Sequence, residues 1–95
     1  MKTELQDIYT SILEGCVREA EYNLYNKEFK YSNVLSDIVV KISGEIYGDG
    51  ISFQRGKINN IDISSNIHNI SDEDKKEFSE NIINDFWKLI NIIYV

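Results

Sequence analysis

The stretch IVVKISGEIYGDG, residues 38–50, decides the fold class of this 95-residue chain. Apolar side chains or glycine recur at every second position from Ile38 to Ile46, and a period of two is typical of a strand that buries one face. The β-branched content of the stretch agrees with a strand. The pair Asp49-Gly50 follows, and it favours a tight hairpin turn because both central positions of a type I′ turn need positive φ. The stretch therefore predicts a strand that enters an antiparallel hairpin.

The segment after this turn has two interpretations. In the first, a short strand from Ile51 to about Gln54 is followed by a second turn at residues 55–57 and by a third strand over about 58–64. In the second, one long strand carries a bulge at Gly56. Residues 65–70 are then predicted to form a loop. The sequence thus predicts an antiparallel meander of two or three strands.

Helices are predicted on both sides of these strands. Apolar residues spaced three and four apart predict a first helix from Thr3 to about Lys27, and the polar residues 31–33 follow it as a loop. Ser71, followed by carboxylates at 72–74, is a strong helix start, because the hydroxyl caps free N–H groups and the carboxylates face the positive end of the helix dipole. The last helix then runs nearly to the last residue. Its central apolar stripe is Phe78, Ile82, Phe86, Leu89 and Ile93.

The order helix, meander, helix predicts a single α+β domain over residues 1–95. A chain of this length with 42% hydrophobic residues buries one modest core, which excludes two independent domains. The least costly arrangement packs both helices on one face of the sheet and leaves the other face to water or a partner. We therefore expect a two-layer fold.

The charge balance argues against nucleic acid as a direct partner. The chain carries 16 acidic and 10 basic residues, a formal charge of −6, and no basic stripe that would displace counterions from phosphates. No apolar run approaches the roughly 20 residues that span a bilayer, and the start MKTELQDIYT has no signal-peptide core. The single Cys16 cannot form an internal disulfide. We expect a soluble, cytoplasmic protein without a membrane partner.

Few residues indicate catalysis or metal binding. His68 is the only imidazole and lies in a polar loop, either as a surface residue or as a lone base or ligand. Cys16 falls in the apolar stripe of the first helix, where a thiol packs as a small, inert hydrophobe. The acids at 72–74 lack the alternate spacing and glycine of a calcium loop, and residues 48–50 lack the lysine of a phosphate-binding loop. We predict no enzymatic activity, no metal and no cofactor.

Two surfaces remain once the core is assigned. Aromatic residues follow one side of the first helix next to charged residues, a composition typical of protein interfaces; alternatively, the helix ends early and residues 25–31 turn inward over the sheet. On the last helix, a stripe that contains Trp87 packs either against the first helix or against another subunit. The acidic face of the same helix is either solvated or binds a basic partner. The predicted partner-binding residues are Glu14, Arg18, Tyr22, Tyr25, Phe29, Glu77, Glu80, Asp85 and Trp87.

Size, acidity and the lack of catalytic groups favour a binding function. We expect a small acidic protein that neutralises a basic protein partner, such as a nuclease or another nucleic-acid-binding effector, in the manner of an immunity protein, an antitoxin or a phage inhibitor. Sixteen Ile, ten Asn and no Pro are typical of an AT-rich genome, which agrees with such an origin. The first alternative is a self-associating structural or adaptor protein, for example a homodimer, that uses the aromatic helix face. The second is a small-ligand-binding or enzymatic domain with His68 near a pocket.

Overall fold

The chain folds as two helices around three strands. The computed structural model describes residues 1–24, 27–48 and 53–94. The elements are α1 (Thr3–Tyr22), β1 (Glu28–Leu35), β2 (Ile38–Gly48), β3 (Phe53–Ser65) and α2 (Asp72–Tyr94). The strands pair antiparallel in the order β1-β2-β3. The predicted α+β class is confirmed, with three strands in the meander.

Both helices pack on the same face of the sheet. α1 lies over β1 and reaches β2, α2 lies over β3, and the two helices touch each other. The residues of β2 that face them are at most 2% exposed, and they alternate along the strand as Ile38, Val40, Ile42 and Ile46. The predicted two-layer arrangement is therefore confirmed. Among the described elements, none covers the opposite face of the sheet.

β3 is one strand of 13 residues, so the interpretation with a single long strand is confirmed. The predicted turn at residues 55–57 is wrong, because these residues pair with β2 and Gly56 lies opposite Ile46. The predicted bulge at Gly56 is also wrong, because the register shifts at two other residues: Asn59, opposite the Ser43–Gly44 step of β2, and Gln54, opposite the Tyr47–Gly48 step. A bulge at either residue changes the strand's twist without ending its pairing. The Asp49-Gly50 turn and the first residues of the strand predicted after it lie outside the described residues.

The first helix is shorter than predicted, and a second hairpin follows it. α1 ends at Tyr22, and residues 31–33, which were expected to form a loop, lie within β1. Ser36 and Asp37 connect β1 to β2 and have φ values of 52° and 63°. Two successive residues with positive φ are typical of a type I′ turn, which usually contains Asn or Gly. The turn lacks both residue types, so its sequence signal is weak.

The loop before α2 holds this turn in its uncommon conformation. Ser65 Oγ donates a hydrogen bond to the carbonyl of Asp37 at 2.7 Å and accepts one from the N–H of His68 at 2.9 Å. Nε2 of His68 lies 3.0 Å from the carbonyl oxygen of Ser36. These bonds give both turn carbonyls a partner, and they offset the cost of positive φ in residues that have a Cβ atom. His68 is a loop residue, as predicted, and it takes part in the fold.

α2 begins as predicted, and three residues of its predicted apolar stripe lie in the core. The N–H of Asp74 donates to Ser71 Oγ at 3.1 Å, so the hydroxyl caps the helix. Phe78, Ile82 and Phe86 are completely buried. Leu89 packs at the margin of this core and is only partly buried, and its neighbour Ile90 is buried instead. The side chain of Ile93, the last residue of the predicted stripe, lies outside the described part of the structure.

Cys16 is a packing residue of α1. Its side chain is completely buried in the core, and burial, together with the nearby charge of Glu19, raises the pKa of the thiol to about 12. A thiol with that pKa is protonated at neutral pH and does not react readily. The predicted position of Cys16 in the apolar stripe of α1 is confirmed.

Candidate partner-binding site

A groove of about 450 Å³ runs between α1 and the edge strand β1. We call it the α1–β1 groove. Its lining residues are Ser11, Glu14, Gly15, Arg18, Glu19 and Tyr22 of α1 and Tyr31, Asn33 and Leu35 of β1. Three of the predicted partner-binding residues, Glu14, Arg18 and Tyr22, therefore lie together. They recur every fourth residue and so share one side of the helix.

The floor of the groove depends on a glycine. A Cβ atom at Gly15 would lie 2.5 Å from the hydroxyl of Tyr31 and 2.6 Å from its ring, so only glycine lets this ring lie against the helix. The Tyr31 hydroxyl accepts a hydrogen bond from Asn33 Nδ2 at 3.0 Å. Asn33 Oδ1 in turn accepts the N–H of Val34 at 2.8 Å. Packing and hydrogen bonds thus hold Tyr31 from both sides.

The charged side chains of the groove form no ion pair with the residues that the structure describes. In the described part of the structure, the ion pairs involve none of Glu14, Arg18 and Glu19. Tyr22 at the end of the groove is 78% exposed. Two carboxylates and one guanidinium give the groove a net negative charge. These groups, with an aromatic ring beside them, are available to a partner.

Two of the acids predicted on α2 already have partners in the chain. Glu77 Oε2 lies 3.3 Å from the amino group of Met1, and Glu80 Oε1 lies 4.0 Å from Nζ of Lys76. Exposed pairs of this kind contribute little to stability. Glu77 and Glu80 still add to the negative field of the helices. They do not line the α1–β1 groove, which is formed by α1 and β1 alone.

Asp85, predicted on an acidic face that is either solvated or bound to a basic partner, contacts α1 instead. Its Oδ2 accepts a hydrogen bond from the hydroxyl of Tyr9 on α1 at 2.5 Å, and its Oδ1 lies 4.0 Å from Nζ of Lys88. Burial, with the hydrogen bond to Asp85, raises the pKa of Tyr9 above its ordinary value. Asp85 therefore links the two helices, a role that becomes visible only once the helices are packed.

Phe29 does not belong to the predicted aromatic surface stripe. Phe29 lies on β1, is only 2% exposed, and stacks on Phe86 with ring centroids 5.7 Å apart. Its ring occupies the space that a Cβ atom at Gly44 would need. The alternative that this segment turns inward over the sheet is confirmed for Phe29, and its assignment to the binding surface is wrong. Tyr25 lies outside the described residues. Trp87 is partly buried, with its ring edge-on to Phe86.

The net charge is divided unequally between the two layers. The helices carry eleven acidic and four basic residues, a formal charge of −7. The strands carry three acidic and four basic residues, a formal charge of +1. The acidity of the chain is therefore a property of the helix layer, and α1 in that layer contributes both carboxylates of the α1–β1 groove.

The charged groups near one end of the open sheet face contact one another. The guanidinium of Arg55 lies 4.6 Å from the ring centroid of Tyr47, whose hydroxyl donates to Glu45 at 3.2 Å. Nζ of Lys57 lies 4.0 Å from the same carboxylate. The hydrogen bond to Glu45 raises the pKa of Tyr47. This cluster is a self-contained surface network, unlike the unpaired groups of the α1–β1 groove.

Sequence reasoning missed the strand side of the groove. Tyr31, Asn33 and Leu35 belong to it, and they fall in or next to the segment that was expected to be a loop. The signal that could have found them is the period of two in Phe29, Tyr31 and Leu35. The polar residues between them hide this alternation.

The described residues contain neither a metal site nor a helix that could span a membrane. Within residues 1–24, 27–48 and 53–94, no three His, Cys, Asp or Glu side chains are grouped so that they could hold a metal ion. Over the same ranges, neither helix has the length and apolar character that crossing a membrane requires. Nδ1 of His68 lies 3.8 Å from a carboxylate oxygen of Glu4, which is a pair and not a ligand set.

Comparison with known proteins finds no matching protein family, curated protein or solved structure. Function is therefore inferred from the geometry and charge of this chain alone.

Proposed function

We propose that this protein binds and neutralises a basic protein partner, with the α1–β1 groove at the centre of the interface. One observation carries the proposal. Glu14, Glu19 and Arg18 stand unpaired within the described structure, in one groove that ends at the exposed Tyr22. Unpaired charges beside an exposed aromatic ring are what a protein interface needs for specificity and for an anchor.

The mechanism is occlusion assisted by charge. The helix layer, with a formal charge of −7, attracts surfaces rich in Lys and Arg and speeds their encounter. Proteins that bind nucleic acid carry such surfaces because they neutralise phosphates. Covering that surface excludes the nucleic acid from it. In this role the chain acts as an immunity protein, antitoxin or phage inhibitor does.

The test is affinity capture from the source organism at low and high salt, with a matched pair of variants. Glu14→Lys reverses a charge in the groove, and Asp62→Lys makes the same change at an exposed site of β3 outside it. We expect the wild type and Asp62→Lys to capture the same basic protein at low salt, and Glu14→Lys to lose it. Addition of the wild type should also displace nucleic acid from the captured protein.

Three results would contradict the proposal. The captured protein lacks basic character, its binding is indifferent to salt, or both variants weaken capture equally.

A further inference from the structure

The edge of β1 beside the groove pairs with no strand among the described residues. The two-residue turn makes Leu35 and Ile38 a hydrogen-bonded pair. By alternation, the main-chain groups of Val34, Ser32 and every second residue before them point away from β2. The N–H of Val34 agrees with this, since it bonds to Asn33 Oδ1. No described residue bonds to the outward main-chain groups of Glu28, Lys30 and Ser32.

The charged stripe of α1 runs alongside this edge. Glu14, Arg18 and Tyr22 are exposed and line the same groove as Tyr31 and Leu35 of β1. A strand added to β1 would extend the sheet by one strand spacing, about 4.8 Å. Its alternate side chains would then point to the helix side and enter the groove, while the others would point to the open face.

We infer that an extended segment of the basic partner adds to β1 as a fourth strand and directs alternate Lys or Arg side chains at Glu14 and Glu19. This inference rests on the proposed function and specifies how the same site holds its partner. The main-chain groups of β1 supply affinity for any extended segment, and the two unpaired carboxylates select the basic ones. The exposed ring of Tyr22 packs on the aliphatic stem or the charge of such a side chain.

Charge also makes a second copy of this chain a poor occupant. β1 places Lys30 on its own free edge, and a lysine there opposes pairing of two identical edges. The groove's net negative charge likewise repels the acidic helix layer of a second molecule. A segment whose basic side chains enter the groove avoids both repulsions, because those side chains lie on the helix side of the sheet and Lys30 lies on the open face.

The test uses two synthetic peptides, KVKVKVK and EVEVEVE, titrated into the full chain by calorimetry and NMR. We expect the lysine peptide to bind and to shift the amide signals of Glu28, Lys30 and Ser32. Only alternate residues of an added strand bond to β1. N-methylation of one alternate set of amides should therefore weaken binding at least about tenfold, and methylation of the other set should change it little.

Two variants of the chain complete the test. Ser32→Pro removes an outward N–H while the neighbouring residues keep their bonds to β2, and proline is tolerated on an edge strand. This variant should bind the lysine peptide at least about tenfold more weakly than the wild type does, with a circular dichroism spectrum like that of the wild type. Glu14→Gln should also bind the lysine peptide more weakly, but the two methylated peptides should differ in affinity as they do with the wild type. The methylated peptides provide the same information should Ser32→Pro fail to fold.

The outcomes separate this inference from the proposed function. Equal binding of both methylated peptides would overturn strand addition and leave the acidic groove as the binding site. Binding of EVEVEVE as tight as that of KVKVKVK, with the same methylation pattern, would support strand addition and overturn the preference for a basic partner. A titration in which neither peptide perturbs the chain would overturn the inference.

Discussion

Tyr31 of β1 lies against Gly15 of α1 so closely that the helix has no room for a larger residue there. The hydroxyl would lie 2.5 Å from a Cβ atom at position 15, well inside van der Waals contact. Glycine in a helix interior is unfavourable by about 1 kcal/mol relative to alanine. The close approach of helix and strand accounts for this glycine, and it sets the position of α1 over the sheet edge and so the width of the α1–β1 groove.

Gly15→Ala should therefore destabilise the fold although it raises helix propensity. The clash with Tyr31 displaces a ring that is held by Asn33, and overpacking of this kind costs about 1–3 kcal/mol. Urea unfolding measures the effect. In a Tyr31→Leu background the same alanine should be neutral or stabilising. A gain in stability from Gly15→Ala in the native background would contradict the contact.

Phe29 and Tyr22 should respond in opposite ways to truncation, although the sequence suggests one aromatic stripe for both. Phe29→Ala removes a ring that is 2% exposed and stacked on Phe86, and such losses cost about 3–5 kcal/mol. Tyr22→Ala changes a side chain that is 78% exposed, so its free energy of unfolding should stay within about 0.5 kcal/mol. Thermal unfolding tests both, and partner capture should fail for Tyr22→Ala. Equal stability losses would show that the two residues share one environment.

A substitution in the turn between β1 and β2 should raise the stability of the protein. Asp37 holds φ at 63°, a conformation that costs an L-residue about 1–2 kcal/mol. Asp37→Gly should therefore raise the free energy of unfolding, by less than that because glycine gains entropy in the unfolded chain. Ser65→Ala should lower it by about 1 kcal/mol or more, since the carbonyl of Asp37 and the N–H of His68 lose their partner. Denaturant titration that ranked the two variants in the reverse order would contradict this account of the turn.

This turn also shows which part of the fold could not be predicted from the sequence. β2 and the start of α2 were predictable because their signals are local: alternating apolar residues in one case, and the cap at Ser71 in the other. β1 was not, because its turn is stabilised by residues about thirty positions later in the chain, Ser65 and His68.

The candidate site was likewise predictable only in part from the sequence. Helical periodicity by itself groups Glu14, Arg18 and Tyr22 on one side of α1. The strand side of the groove becomes apparent only when residues 28–35 are recognised as a strand. Asp85 and Phe29 were expected on the surface because nothing within their own segments indicates what packs against them.

Cys16 should make stability depend on alkaline pH. Its pKa is about 12 in the folded chain, against an ordinary value of 9.0. A pKa raised by folding gives a contribution that is present in full below about pH 9 and is lost as pH rises through about 12. The wild type should lose more stability between these pH values than Cys16→Ala does, as measured by urea midpoints.

The burial of Cys16 can also be tested by thiol labelling. Ellman's reagent at pH 8 should label Cys16 only after unfolding. Rapid labelling of the native protein would contradict its burial.

The hydrogen bond between Tyr9 and Asp85 should contribute to the packing of the two helices without contributing to partner binding. Tyr9→Phe removes the hydroxyl and keeps the ring edge-on to Phe78, whose centroid is 5.5 Å away. It should cost about 1–2 kcal/mol, because among the described residues the carboxylate of Asp85 then keeps only the distant Lys88 as a partner. Asp85→Asn keeps an acceptor for the hydroxyl and should cost less. In a double-mutant cycle the two residues should couple by about 1 kcal/mol, which measures the link between the helices.

Capture of the partner should survive Tyr9→Phe at a temperature where the variant is folded, since neither Tyr9 nor Asp85 lines the α1–β1 groove. Additive stability losses would mean that the two groups do not interact, and loss of capture would extend the binding site across the helix layer.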